Sequence, residues 1–148
     1  MNATATGYNP IRYDCSQYGC YLTECQPKTE MFSDCFPGKI SFSDMDRIVE
    51  RNGRALIIEW KGPGGEIKRS QEIMWGKLTR GTMITTIAVN GDSKTMEVSA
   101  YRICWDGEWR NWQQSDFGEL KLRITSWANW AETNPVFSVA VNGLQGAK

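Results

Sequence analysis

The chain has 148 residues, with 17 basic and 17 acidic side chains, 41% apolar residues and no histidine. That length suits one domain with a real core, and the missing histidine excludes Ser-His-Asp and Cys-His catalysis and every His-containing metal site. A net charge of zero offers no global field for nucleic acid, so such a partner would have to be met by local patches.

Residues 1–26 are polar, with no helical period, and read as an irregular N-terminal arm before a single domain over 27–148. No signal-peptide pattern opens the chain and no apolar run approaches the ~20 residues of a membrane span, so a cytoplasmic location is expected. Five cysteines include a group at Cys15, Cys20, Cys25 and Cys35, separated by four, four and nine residues. A four-thiolate zinc site usually uses tighter C-x2-C knuckles, so reduced thiols are the expectation and Zn2+ the less favoured alternative.

"PKTEMFSDCF" (27–36) predicts a short helix, stopped by Pro37-Gly38. A hairpin follows, "KISFSDMDRIVE" (39–50) and "RALIIEWK" (54–61), turned by Asn52-Gly53 because both residues accept positive φ. From Ile67 to Arg80 the period becomes helical, with Ile67, Met74, Trp75 and Leu78 on one stripe, polar Gln71 inside it and Gly81 as the stop. "TMITTIAVN" (82–90) predicts a buried strand turned by Asn90-Gly91, and "MEVSAYRICW" (96–105) another strand turned by Asp106-Gly107. "DFGELKLRITSWANWAE" (116–132) predicts a helix whose face carries Phe117, Leu120, Ile124, Trp127 and Ala131. The order α-β-β-α-β-β-α implies an α/β (α+β) domain, a central mixed sheet flanked by helices.

The two-residue turn sets the hairpin register. Arg51 then faces Arg54, Asp46 faces Glu59 and Asp44 faces Lys61. Alternation sends these four charges to one face and leaves the other, with Met45 opposite Trp60 and Val49 opposite Leu56, to the core. Opposed carboxylates with Cβ atoms about 5 Å apart repel. A divalent cation reverses that sign, since Mg2+ often uses only one or two carboxylates and fills its other positions with water and phosphate. The competing account of the four charges is a solvated face with ordinary ion pairs.

Asp46 followed by Glu59-Trp60-Lys61, in a hairpin preceded and followed by helices, resembles the PD-(D/E)xK nuclease superfamily. The wording "SDMDRIVERNGRALIIEWKGPGG" is especially similar to small phage-type nucleases and the VRR-NUC branch, where a Gly-rich loop and a helical glutamine follow the lysine; Gln71 matches that glutamine. Two departures stand: the aspartate is doubled as Asp44-Met45-Asp46, and the literal Pro-Asp pair is missing. The resemblance implies a restriction-endonuclease-like core and a Mg2+- or Mn2+-dependent deoxyribonuclease, endo- or exo-acting, in phage or bacterial replication, recombination or repair. It implies Asp46, Glu59, Lys61 and Gln71 as catalytic, and one or two metal ions on Asp46, Glu59 and the Trp60 carbonyl, with Glu30 and Asp44 as further candidates. DNA would be the partner, gripped by Lys68, Arg69, Lys77 and Arg80, with a homodimer compatible and the host cytoplasm the location if the chain is phage-encoded. Trp105, Trp109 and Trp112, interleaved with arginines, could stack on unpaired bases or pack in the core. A catalytically silent DNA- or protein-binding module on the same scaffold is the alternative, and a small zinc-bearing interaction protein a third reading.

Overall fold

The computed structural model describes residues 27–38 and 40–136, so the expected arm and Cys15, Cys20 and Cys25 lie outside the described residues. The chain divides into two compact units, Met1–Asp44 and Met45–Lys148. In the first, the helix expected at 27–36 is a 3-10 helix, Thr29–Cys35, none of whose residues is buried. It starts where the Pro27 carbonyl accepts from the Thr29 amide. Phe42 meets the Phe32 and Phe36 rings edge-on, with centroids 6.1 and 5.5 Å away.

The second unit holds a six-stranded mixed sheet in which strands 47–51, 54–61, 84–92, 97–105 and 108–109 lie side by side in that order, with 113–114 also paired to 97–105. Strands β1 (Arg47–Arg51) and β2 (Arg54–Lys61) form the predicted hairpin, with Arg51 facing Arg54 and Val49 facing Leu56. Asn52 and Gly53 turn it at φ 53° and 82°, as the primed turn requires. Helix α1 (Arg69–Thr79) then crosses over to β3 (Ile84–Asp92), which lies parallel to β2. Strand β4 (Glu97–Trp105) returns antiparallel. Asp106-Gly107, both at positive φ, turns it into β5 (Glu108–Trp109); β6 (Gln113–Gln114) and helix α2 (Phe117–Thr133) follow. Asp116 starts α2 by accepting from the Glu119 amide at 2.8 Å.

Both faces of the sheet are core. On one, Leu56, Ile87, Val89 and Ile103 pack with Leu120 of α2, supported by Ile124 and Trp127. On the other, Ile57 and Cys104 pack against Trp75 of α1. The expected split into one core face and one charged face is therefore corrected: Ile57, on the Glu59 side, is only 2% exposed. β2 is covered twice because the parallel crossover lays α1 over the face the hairpin alone would leave open. Exposure falls instead on β1, the edge strand, which is exposed along its whole length.

A second expectation also changes. Asn90-Gly91 is not a turn; both residues stay in β3, with a register shift between them, and the chain turns over residues 93–96, with Met96 at φ 61°. Gly91 is needed there for space, since a Cβ would collide with the Glu97 carbonyl oxygen. No helix among the described residues is long and apolar enough to cross a membrane.

Candidate active site

Glu59 and Lys61 project from β2 toward α1, two residues apart and so on one face. Gln71, in the first turns of α1, meets them. Lys61 Nζ donates to Glu59 Oε1 at 2.8 Å and to Gln71 Oε1 at 2.9 Å, and Gln71 Nε2 donates to Glu59 Oε1 at 2.8 Å. The three side chains close a ring in which each touches the other two. That contact explains a polar residue inside an apolar helical stripe.

The ring sits in a poor solvent. Glu59 is 4% exposed and the Lys61 side chain 18%. Glu59 Oε1 has two donors, but Oε2 is buried and takes no hydrogen bond among the described residues. An unsatisfied buried acceptor costs about 1–3 kcal/mol, more when charged, and Oε2 is the one carboxylate oxygen among the buried side-chain atoms without a partner in the described residues.

Asp46 meets β2 through the backbone. The β1–β2 ladder stops at the Arg47–Ile58 pair, so the expected facing of Asp46 with Glu59, Met45 with Trp60 and Asp44 with Lys61 is not made. Asp46 instead turns its carboxylate onto the backbone, where Oδ2 accepts the Trp60 amide at 2.6 Å. In an antiparallel pair alternate residues exchange their backbone bonds, and Trp60 is the next bonded position after Leu56 and Ile58. The side chain of Asp46 thus takes the donor that a continuing strand would have used. Because a strand residue's N–H and C=O point to the same edge, the Trp60 carbonyl faces the Asp46 side as well.

The loop after Lys61 is pinned from β3. Asn90 stands beside Lys61 in the parallel register, is 8% exposed, and donates Nδ2 to the Gly65 carbonyl at 2.5 Å. The Gly65 amide closes the turn on the Gly62 carbonyl at 2.8 Å. Asn90 is a site residue that the sequence conceals, because its Asn-Gly pair has the local signature of a turn.

Glu72, next to Gln71, is engaged elsewhere. It accepts from Arg102, whose guanidinium lies 4.5 Å from the Trp109 ring centroid and 5.2 Å from that of Trp112. The Arg102 hydrogen bond holds the Glu72 carboxyl below the ordinary value of 4.5. Trp109 donates its indole N–H to the Glu72 carbonyl. Trp105 is on the opposite sheet face, so the three tryptophans of 105–112 do not form one platform.

The expected basic grip does not gather at the ring. Lys68, Arg69, Lys77 and Arg80 are all exposed, but at 3.6 residues per turn Arg69 is about 160° and Lys77 about 120° around α1 from Gln71. Arg69 pairs with Glu72 at 3.4 Å, and Arg80 packs against Gly107. Glu30 is exposed in the 3-10 helix and Asp44 ends the first unit, whereas every contact of the ring lies within the second. Cys35 is an exposed free thiol. Among the described residues no three or more Asp, Glu or Cys side chains converge as a metal cluster. Asp46, Glu59 and the Trp60 carbonyl are oxygen donors of the type Mg2+ takes, an ion that retains several waters.

Compared with protein-family models, curated proteins and solved structures, the chain matches none.

Proposed function

We propose that the second unit is a Mg2+- or Mn2+-dependent deoxyribonuclease of restriction-endonuclease-like architecture, with Asp46, Glu59, Lys61 and Gln71 as its working residues. The observation that carries the reading is the closed Glu59–Lys61–Gln71 ring with Glu59 Oε2 left buried and unsatisfied. Trp75 Nε1, Thr86 Oγ1, Arg102 Nε and Trp127 Nε1 are also buried without a partner, but Oε2 alone among them belongs to a carboxylate. A divalent ion held by Asp46, Glu59 and the Trp60 carbonyl would satisfy it.

Such an ion supplies Lewis-acid stabilisation of charge on the phosphodiester and makes water a better nucleophile. The chain's own residues do the positioning. An ammonium has three donors, and the ring uses two of those of Lys61, leaving one for a phosphate oxygen or a water. Gln71 holds both Glu59 and Lys61, so the lysine head is fixed before substrate arrives, which is the condition for electrostatic catalysis. Asn90 and the Gly62–Gly65 turn set the wall beside Lys61.

The test is a cleavage panel of linear, nicked, flapped and four-way DNA in Mg2+ and Mn2+, comparing wild type with Asp46→Asn. The asparagine keeps an oxygen for the Trp60 amide but removes the charge. Expected results are cleavage by wild type, loss of at least ~100-fold in the variant, in keeping with electrostatic contributions of this kind, and loss of divalent-ion binding by calorimetry. No cleavage of any form, with no ion binding by wild type, would refute the reading. DNA binding without cleavage would assign the chain to the silent binding module instead.

A further inference from the structure

The sheet face away from Glu59 has a different chemistry. Between β3, β4 and α2 lies a cavity of about 280 Å³ whose walls include Trp105, Trp127 and Trp130 together with Arg110 and Arg123, and no acidic side chain. A second hollow of about 330 Å³ shares Ile103, Arg110 and Arg123 with the first and continues past Tyr101, Asn111 and Gln113. The two arginines stand where the hollows meet.

Three features point to a ligand rather than to packing. Trp105 is 48% and Trp130 37% exposed, although an indole has more area to gain by burial than any other side chain. The Arg54 guanidinium, 4.1 Å from the Trp130 centroid, stacks on that ring and holds it in place. Among the described residues neither Arg110 nor Arg123 takes part in an ion pair, so both charges are free for an anion.

We infer that this face binds an unpaired stretch of nucleic acid, one base against the tryptophans of the first hollow, the next in the second, and the phosphate between them on Arg110 and Arg123. Each hollow is close to the ~300 Å³ where small-molecule sites begin, which suits one base and its sugar and excludes a duplex. Aromatic stacking with arginine on the backbone is the general chemistry of single-strand binding. The repeat of hollow, cation pair and hollow matches a strand better than a free mononucleotide, which would leave the second hollow idle. The inference stands independently of whether the Glu59 ring hydrolyses anything.

The experiment is fluorescence anisotropy of labelled oligothymidylate in EDTA, so that divalent-ion chemistry plays no part. Variants are Arg110→Ala/Arg123→Ala, Trp105→Ala and Trp105→Phe, each checked for an unchanged circular-dichroism spectrum. The expected result is single-strand binding at least ~10-fold tighter than duplex binding, because paired bases cannot enter the hollows. The double arginine variant should flatten the slope of log K against log salt by about 0.7, from the one phosphate no longer neutralised. Trp105→Ala should weaken binding by about 5-fold or more and Trp105→Phe should restore most of it, as loss of one stacked base predicts. Equal affinity for duplex, an unchanged affinity in the arginine variant, or no binding at millimolar protein would each overturn the inference. Displacement of the strand by thymidine monophosphate at equal affinity would also overturn it, in favour of a free-nucleotide site.

Discussion

Replacing Lys61 by methionine isolates what the buried ring costs and contributes. The substitution keeps the length of the stem and removes the ammonium, so Glu59 loses one of its two donors at Oε1 and the cation paired with it. Breaking a buried ion pair by removing one partner costs about 3–5 kcal/mol because a charge is left uncompensated. Two observations place Lys61→Met at the lower end: Gln71 still donates to Oε1 at 2.8 Å, and the Lys61 side chain is 18% exposed, so water reaches part of the site. The expected loss is about 3 kcal/mol by urea unfolding at pH 7, or a fall in melting temperature of roughly 12–24 °C for a domain near 100 residues. Glu59→Leu/Lys61→Met should recover most of that loss, since an apolar pair of similar volume also removes the unsatisfied Oε2. A single variant within about 0.5 kcal/mol of wild type, the range of ordinary surface changes, would refute the reasoning. So would a double variant no more stable than the single one, because the ring would then be held by something other than charge compensation.

Other outcomes can be checked with the same unfolding assay. Gly91→Ala should cost about 1–3 kcal/mol, the usual range for overpacking, because its Cβ would collide with the Glu97 carbonyl oxygen and meet the Trp60 ring at 3.0 Å. Glu72 is held below its ordinary 4.5 by Arg102, so its contribution is complete above that value and disappears as pH falls through the lowered one. Glu72→Gln should therefore flatten the acid limb of the stability curve relative to wild type. Burial raises the Cys104 thiol above its ordinary 9.0, so stability should decline as pH rises past 9.0, where the unfolded chain ionises first. Cys104→Ala should reduce that alkaline slope.

Local chemistry made much of this fold legible in advance. Asn52-Gly53 demands positive φ at two successive residues, and that alone set the pairing of Arg47–Arg51 with Arg54–Ile58. Asp106-Gly107 and Gly81 acted in the same way, with φ of 50°, 83° and 64°. The stripe Phe117, Leu120, Ile124, Trp127 and Ala131 predicted the helix and, except for Phe117, which is exposed, the face it buries. Asn90-Gly91 has an equally strong turn signature and failed, because Asn90 is occupied with the Gly62–Gly65 loop and Gly91 with close strand packing. A dipeptide's preference is worth about a kilocalorie, and a buried hydrogen bond with a close backbone approach outweighs it.

The amino-acid sequence by itself determined the spacing of Asp46, Glu59 and Lys61, the hairpin that carries them and the sheet face from which Glu59 and Lys61 project, since these depend on turn conformation and on the two-residue period of a strand. Only the tertiary structure decided that α1 covers that face, that Gln71 completes a ring, and that Asp46 turns onto the Trp60 amide instead of facing Glu59. The physical reason is burial. Once the parallel crossover removes water from Glu59 and its neighbours, each donor must find an acceptor among residues distant in the chain, and no local pattern encodes which one it will be.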